Sequence, residues 1–368
     1  LDRNLAYLSL VEVLHGYPID GVVLTTGCDK TTPAMLMGAA TVDIPAIVLS
    51  GGPMLDGWWK GELAGSGMIV WESRRLLAEG EIDYDEFMAR VCASAPSLGH
   101  CNTMGTASTM NALAEGLGMS LPGCAAIPAP FRARMEMAYA TGKRAVEMVH
   151  EDLRPSAILT RENFENVIRV NTAIGGSTNA PPHIQAIARH AGVELEVQDW
   201  QDHGFDLPLL VNMQPAGKHL GEAFQRAGGV PAVMGEMLAA GLLHGSAPTV
   251  SGKTVAENIG DRRSADTDVI LSVDAPLRPE AGFMVLSGNL FDSALMKTSV
   301  ISDDFRQRFL SKAGSEGVHE ARAIVFEGPE DYHARINDQD LDIDETCILF
   351  IRGVGPVGYP GSAEVVNM

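Results

Sequence analysis

The sequence lacks a long apolar run, and it is poor in aromatic residues, in cysteine and in positive charge. No apolar stretch approaches the roughly 20 residues that a membrane-spanning helix needs, and no signal-peptide pattern is present. Lys and Arg number 27 against 47 Asp and Glu, so the formal net charge is −20. Such an acidic surface disfavours nucleic acid as a partner. We therefore expect a cytoplasmic protein with neither a nucleic-acid nor a membrane partner.

The cysteines are few and odd in number. Five are present: Cys28, Cys92, Cys101, Cys124 and Cys347. An odd number in a chain of 368 residues predicts reduced thiols and disfavours a disulfide framework. Cys92 and Cys347 lie in a predicted helix and a predicted apolar strand, so we expect them to be small buried hydrophobes.

Cys28 and Cys101 differ from the others because they lie in polar loops flanked by glycine. No CxxC pair occurs, and a structural zinc site needs four ligands that usually come in close pairs. Single cysteines on separate loops fit an iron–sulfur cluster better. Spacing alone makes this a weak indication.

The order of the predicted elements indicates an α/β protein of more than one domain. A chain of 368 residues is too long for one small core. Helices alternate with short apolar strands as far as about residue 245, which is typical of a parallel sheet. The segment "TPAMLMGAATV" is a predicted helix between two such strands, with Thr32 as N-cap and Pro33 at the first helical position.

The composition changes after about residue 265. The segments "DVILSV", "GFMVLSGNL", "RAIVFEG" and "CILFIRG" are short, rich in β-forming residues and separated by Gly, Asp and Pro. They predict a mostly β second domain, either a barrel or a sandwich. We place the boundary between residues 275 and 276, so that 1–275 form the α/β domain and 276–368 the smaller one.

The stretch "TTGCDKTTPA" carries the most unusual chemistry. Cys28, Asp29 and Lys30 follow a predicted strand, and ligands of parallel sheets collect beyond the carboxyl ends of the strands. Asp29 is a hard oxygen ligand that suits Mg²⁺. Lys30 becomes useful beside a metal only when it is neutral or when carbon dioxide has converted its amine into an anionic carbamate. The alternative is a solvent-facing Asp–Lys pair, and the residues alone leave both open.

Three further features are less specific. The glycine loops "SGGP" and "IGGSTN" suit either a cradle for a carboxylate or phosphate or a tight turn. His100 suits either an acid–base role or a structural hydrogen bond. Glu364 follows a Gly/Pro turn and is placed to reach a metal ion.

Taken together, several motifs resemble the family of dihydroxy-acid and sugar-acid dehydratases, and the resemblance covers essentially the whole chain. The motifs are "TTGCDKTTPA", "IVLSGGPMLDG", "GHCNTMGTASTMNALAEGLGMSLPG", "IGGSTNAPPHI", "FEGPEDYH" and "GYPGSAEVVNM". Details such as "HGYPIDGVVLTTGCDKTTPA" look most like the pentonate branch, the arabinonate and xylonate dehydratases.

The resemblance implies a fold, two cofactors and a set of ligands. The fold is a large α/β/α domain followed by a β-barrel domain, here incomplete. An iron–sulfur cluster, [2Fe–2S] in the pentonate branch, would be held in part by Cys28 and Cys101. Mg²⁺ would be bound by Asp29, by a carbamylated Lys30 and by Glu364. Members are homodimers or homotetramers.

The resemblance also implies parts that this sequence does not contain. A first cluster cysteine in an "SCN"-type motif and another acidic Mg²⁺ ligand would precede Leu1, and a base serine in a "GRQSGTS"-like loop would follow Met368. No catalytic base is therefore assigned here, and Cys124 does not match the missing cysteine. We expect the ordered portion of a longer enzyme, with an inactive truncated chain as the alternative.

The implied reaction is the dehydration of a sugar acid to its 2-keto-3-deoxy acid, with iron as the Lewis acid. The small-molecule substrate would be an aldonate, and the resemblance favours a pentonate. The nearest alternative is a branched-chain dihydroxy-acid dehydratase, which carries out the same chemistry on an apolar substrate.

Overall fold

The computed structural model describes residues 2–290, 293–311 and 317–354. These residues fall into two compact units, one spanning Asp2–Val300 and the other beginning at Ile301. The boundary expected between residues 275 and 276 stays a prediction. Glu364 lies outside the described residues.

The first unit is a mixed α/β structure in which helices predominate. Its helices are α1 Asp2–Gly16, α2 Thr31–Val42, α3 Met68–Glu79, α4 Tyr84–Ala93, α5 Thr106–Gly116, α6 Arg132–Glu151, α7 Pro155–Ile158, α8 Arg161–Ala173, α9 Ala180–His190, α10 Asp199–Gly204, α11 Gly221–Arg226, α12 Gly229–Ala239 and α13 Val255–Ile259. Its strands are β1 Val22–Thr26, β2 Ala46–Ser50, β3 Trp58–Trp59, β4 Glu62–Leu63, β5 Phe283–Leu286 and β6 Ala294–Lys297. Within the described residues, none of the helices of the chain combines the length and the apolar composition needed to cross a bilayer.

The predicted strand–helix–strand unit is confirmed at the start of the chain. β1 and β2 are parallel, with Val22 opposite Ala46 and Thr26 opposite Ser50, and α2 connects them. Helix α6 packs against both strands, and α2 packs against α1 and α9. The carboxyl ends of β1 and β2 therefore open into the loops that carry the candidate ligands.

The predicted start of α2 is wrong by two residues. The helix begins at Thr31, and the N-cap is Lys30, whose side chain makes no capping hydrogen bond. The hydroxyls of Thr31 and Thr32 instead donate to the carbonyl of Cys28, each at 3.1 Å. The two threonine hydroxyls thus stabilise the loop at Cys28. Threonine is common both in such loops and at helix N-caps, so residue type alone does not distinguish the two roles.

The core of the first unit is built on two buried helices. In α5, Met110, Leu113 and their neighbours are fully buried, and in α8 the same holds for Phe164 and Ile168. The two helices pack against each other. Because α5 is enclosed by the core along its length, its polar residues have rigid positions from which to hold the surrounding loops.

Two segments predicted as strands pair too briefly to form strands. "LPLLVNMQPAG" and "DVILSV" meet only at isolated bridges, including Val211 with Ile270. The predicted strand "GFMVLSGNL" forms β5, which pairs antiparallel with β6. Most apolar residues of the first two segments are nevertheless buried, so these runs belong to the core without forming strands.

The second unit contains a parallel strand pair. Its strands are β7 Arg322–Phe326 and β8 Cys347–Ile351, and its helical segments are α14 Asp303–Phe305, α15 Pro329–Arg335, a π-helical turn at Arg306–Leu310 and a 3₁₀ turn at Gln339–Leu341. Helix α15 follows β7 and precedes β8 in the chain, which is the order of a βαβ unit. No closed barrel occurs within residues 301–311 and 317–354, and the barrel-like domain stays a prediction.

The expectation that Cys92 and Cys347 are buried is wrong. Cys92 is exposed on α4, and Cys347 is only partly buried at the start of β8. Both elements have few neighbours, because α4 buries none of its residues fully and β8 pairs only with β7 in its sheet. Cys124 is the buried cysteine, with its sulfur 3.4 Å from the backbone nitrogen of Ser50.

We predict that Gly52→Ala destabilises the first unit by about 3 kcal/mol or more. Gly52 has a φ of +88°, and an added Cβ would lie 2.9 Å from the backbone nitrogen of Ala129 and 2.8 Å from the Arg134 guanidinium. Gly61→Ala is the matched control, since Gly61 has a φ of +90° with open space around it. Chemical denaturation should show a loss of roughly 1 kcal/mol for the control. Equal losses for the two variants would contradict the steric explanation.

Candidate functional site

One helix, α5, gathers the loops that carry the candidate ligands. Its first half presents Thr106, Ser108, Thr109 and Asn111. Each of these side chains hydrogen-bonds a different point on a surrounding loop. The site is therefore organised by a polar face on an otherwise apolar helix.

Asn111 holds the loop that contains Cys28. Its side-chain amide donates to the carbonyl of Gly27 at 2.8 Å, and its oxygen accepts from the hydroxyl of Thr26 at 3.0 Å. The side chain is almost fully buried, with 1% of its surface exposed. Thr26, the last residue of β1, and Gly27, the first residue of the loop, are thus both bound to α5.

Ser108 holds the loop that contains Cys101. Its hydroxyl donates to the Cys101 carbonyl at 3.0 Å. Ser108 and Asn111 are three residues apart and lie on the same face of α5, so the two cysteine loops are brought to one side of the helix. Both Cys28 and Cys101 are exposed there. The two cysteines are close enough for the charge of Cys101 to act on the thiol of Cys28.

The electrostatics of Cys28 reflect this arrangement. The pKa of its thiol is raised, chiefly because partial burial disfavours the thiolate, and the negative charges of Asp29 and Cys101 act in the same direction. Its sulfur lies 3.4 Å from an Asp29 carboxylate oxygen. A thiolate at this position needs a compensating cation, which is what a metal centre supplies.

Asp29 and Lys30 are not a solvent-facing pair. Their side chains are only 30% and 26% exposed, and the Lys30 nitrogen lies 3.9 Å from an Asp29 oxygen. Both residues stand between the thiol of Cys28 and the start of α2. The ligand role of both residues stays a prediction.

His183 is a site residue that the sequence did not single out. It lies on α9, which packs against α2, and only 1% of its surface is exposed. Its Nδ1 lies 3.0 Å from the guanidinium of Arg3. A guanidinium can only donate, so Nδ1 is the acceptor and the proton of the neutral imidazole is on Nε2.

The Nε2–H of His183 has no partner among the residues that the structure describes. Burial lowers the pKa of this imidazole to about 3, and the positive charges of Lys30 and Arg3 contribute. His183 therefore offers a buried donor within the electrostatic range of Lys30. Only the packing of α9 on α2 reveals it, because the two residues are far apart in sequence.

The two glycine loops are tight turns. The N–H groups of Gly51 and Gly52 bond to Thr26 and Ser50, and those of Gly176 and Ser177 bond to Asn171 and Thr109. These donors are used internally, so they are not open to an anion. The "IGGSTN" loop is instead a third loop held by α5.

A buried lysine reinforces this third loop. The Lys297 ammonium donates to the carbonyl of Gly175 at 2.7 Å. Burial lowers the pKa of Lys297 to about 8. Strand β6 thereby supports the loop from the side opposite α5.

His100 has a structural role in this conformation. Its Nδ1 donates to the carbonyl of Cys101 at 3.0 Å, which places the proton on Nδ1. Its Nε2 is buried without a partner in the described part of the chain, and burial lowers the pKa of the ring to about 4. The imidazole is neutral and helps to shape the Cys101 loop.

The residues at this edge suit a mixed metal centre. Cys28 and Cys101 carry sulfur and Asp29 carries oxygen, which are the donor types that iron and Mg²⁺ respectively prefer. His183 adds a buried Nε2–H donor without a partner in the described part of the chain. Within the described residues, no group of three or more His, Cys, Asp or Glu side chains is placed to bind a metal ion, and Glu364 lies outside them.

We predict that Asn111→Leu destabilises the first unit by about 3 kcal/mol, because the Gly27 carbonyl and the Thr26 hydroxyl lose their buried partner. Denaturant unfolding measures the loss. Ser108→Ala is the comparison variant. It removes a single hydrogen bond that is more exposed to solvent, so it should cost about 1 kcal/mol. An Asn111→Leu variant as stable as Ser108→Ala would show that α5 does not hold the Cys28 loop.

The fold and the site together define an α/β protein in which helix α5 ties the loops of Cys28 and Cys101 to one side. Two family models match the chain: dihydroxy-acid/6-phosphogluconate dehydratase N-terminal over residues 1–258, and the corresponding C-terminal model over residues 268–368. The chain belongs to the dihydroxy-acid/6-phosphogluconate dehydratase family.

The chain is similar to several characterised members of this family. It is 65% identical to the D-xylonate dehydratase of Caulobacter vibrioides and 49% identical to the L-arabinonate dehydratase of Rhizobium leguminosarum bv. trifolii, over 100% of this chain in each comparison. It is 38% identical to the dihydroxy-acid dehydratase of Caldanaerobacter subterraneus, over 98% of this chain. The chain spans 62% of the length of each of these relatives. The resemblance to the pentonate branch is confirmed.

Proposed function

We propose that the protein is a hydro-lyase that dehydrates a sugar acid, most specifically a pentonate, to its 2-keto-3-deoxy acid. The observation that supports the proposal is that α5 ties the Cys101 loop and the loop of Cys28, Asp29 and Lys30 to one side of the helix. In this reaction the substrate loses the proton on carbon 2 and the hydroxyl on carbon 3 as water. The resulting enol becomes the 2-keto acid.

The proposed cofactors are an iron–sulfur cluster of the [2Fe–2S] type and Mg²⁺. Cys28 and Cys101 would hold the cluster, and Asp29, carbamylated Lys30 and Glu364 would hold Mg²⁺. When bound, these groups would supply Lewis acidity to the leaving hydroxyl and to the substrate carboxylate. Adjacent residues on one loop would fix the distance between the two centres, since Cys28 and Asp29 share a backbone that Asn111 anchors.

The side chains of this chain would orient the carbamate. A neutral Lys30 amine would attack carbon dioxide and release one proton to solvent, which leaves an anionic oxygen ligand. His183 would donate its Nε2–H to that carbamate, because its other nitrogen is occupied by Arg3. Asp29, 3.9 Å from the Lys30 nitrogen before modification, would share the same metal ion.

The substrate class rests on similarity. The relatives named for D-xylonate and L-arabinonate are 65% and 49% identical to this chain, whereas the one named dihydroxy-acid dehydratase is 38% identical. These sequence identities favour a pentonate over a branched-chain dihydroxy acid as the substrate. We also propose a large α/β/α domain followed by a barrel-like domain from residue 276, a cytoplasmic location and assembly into homodimers or homotetramers.

A side-by-side assay tests the proposal. Purified protein, reconstituted with iron, sulfide and Mg²⁺, should show iron–sulfur absorption bands and convert D-xylonate and L-arabinonate to 2-keto-3-deoxy acids. Turnover of dihydroxy-isovalerate should be slower by at least about tenfold, because a polyol pocket leaves its polar groups unpaired against an apolar substrate. Preference for dihydroxy-isovalerate would support the branched-chain alternative, and a loaded cluster without turnover of either substrate would contradict the proposal.

A further inference from the structure

Helix α6 carries an exposed apolar stripe. Met135, Tyr139 and Val146 are 75%, 78% and 59% exposed, although each is a large apolar or aromatic side chain. Their spacing of four and seven residues puts them on one face, together with Gly142. The opposite face of α6 is buried against β1 and β2. The stripe is therefore one continuous helix face, and none of residues 2–290, 293–311 and 317–354 covers it.

The charges beside the stripe are arranged for self-pairing. Arg132 and Glu136 lie near its N-terminal end and pair with each other at 3.3 Å, and Lys143 and Glu147 lie near its C-terminal end, where Glu147 also pairs with Arg144. In an antiparallel pair of these helices, Arg132 of one copy approaches Glu147 of the other, and Glu136 approaches Lys143. Each pair has opposite signs.

The apolar side chains match under the same arrangement. The register that pairs the charges brings Met135 opposite Val146 and Tyr139 opposite Gly142. No heavy atom lies within 4 Å of the position where a Cβ on Gly142 would stand. The space above Gly142 is open for the Tyr139 ring of a second copy, so a large residue faces a small one.

We propose that this face of α6 is a two-fold interface between two copies of the chain. This inference rests on the proposal that the protein is a homodimer or homotetramer, and it names the surface through which two copies associate. An isologous contact requires a surface that complements itself, and both the charges and the residue sizes of the stripe meet that requirement.

Cysteine cross-linking tests the register. A variant with both Met135→Cys and Val146→Cys should form a disulfide between copies, seen as a doubled mass on a non-reducing gel. The two positions are separated by roughly 16 Å along one helix, too far for a bond within a copy. Ala133→Cys with Ala140→Cys is the matched control, since both alanines are exposed on α6 but away from the stripe. Cross-linking equal to this control would overturn the register.

Light scattering on the purified protein tests the interface itself. Tyr139→Glu should weaken association by at least about 30-fold, as expected for loss of a central aromatic contact. Tyr139 is exposed, so the far-UV circular dichroism spectrum should stay that of the parent protein and exclude misfolding as the cause. A monomeric parent would overturn the proposed homo-oligomer together with this interface. An oligomeric parent whose mass and affinity survive Tyr139→Glu would overturn the interface alone and leave the proposed function standing.

Discussion

Cys28→Ser and Cys101→Ser are each expected to abolish cluster loading and to lower dehydratase activity by at least about 100-fold. Changes to residues that only support a metal ligand already cost 10- to 100-fold, and loss of the ligand itself should exceed that. A serine hydroxyl is a poor ligand for iron, because it is hard and remains protonated at neutral pH. The folded state should change little, since both cysteines are exposed.

Iron and sulfide analysis, together with the absorption spectrum, measures the loss directly. Cys92→Ser is the matched control, because Cys92 is also exposed but lies on α4, outside the site. That variant should retain the full cluster and full activity. A complete cluster in Cys28→Ser or Cys101→Ser would show that the ligand assignment is wrong.

Lys30→Arg is expected to reduce activity by at least about 100-fold while the iron–sulfur bands persist. A guanidinium remains protonated at any accessible pH and does not react with carbon dioxide, so no carbamate forms and Mg²⁺ loses an anionic ligand. The positive charge beside Asp29 would be retained, which separates the loss of the carbamate from the loss of charge.

The carbamate can be observed apart from activity. Protein equilibrated with ¹³C-bicarbonate should give a carbamate carbon resonance that is absent in Lys30→Arg. His183→Leu should weaken the apparent affinity for carbon dioxide by about tenfold, through the loss of one hydrogen bond to a charged group. His190→Leu is its control, since His190 lies on the same helix but bonds Thr41. A fully active Lys30→Arg variant would exclude the carbamate role.

The parts of the site that were predictable were those encoded in local sequence. The apolar runs on either side of "TPAMLMGAATV" predicted β1, α2 and β2, and the order of these elements predicted that Cys28 would lie at the carboxyl end of a parallel strand. The glycine-flanked loops singled out Cys28 and Cys101 from the other cysteines. Local pattern suffices here because strand, turn and helix preferences each extend over only a few residues.

The errors arose where burial depends on distant packing. Cys92 was predicted to be buried from the apolar residues beside it, but α4 lies at the surface and leaves the thiol exposed. Thr32 is of a residue type that is common at N-caps, yet its hydroxyl donates to the Cys28 carbonyl. The residue type indicates which structural roles a side chain can take, and its neighbours in the folded protein determine which role it has.

The sequence by itself determined the α/β class, the acidic surface and the choice of Cys28, Asp29 and Lys30 as candidate ligands, because these depend on residue identity and short-range spacing. Only the tertiary structure decided that Cys101 stands beside Cys28 and that His183 offers a buried donor near Lys30. Those neighbours come from loops and helices far apart in the chain. They meet because the core buries α5 and packs α9 on α2, which fixes polar side chains in positions that no local pattern encodes.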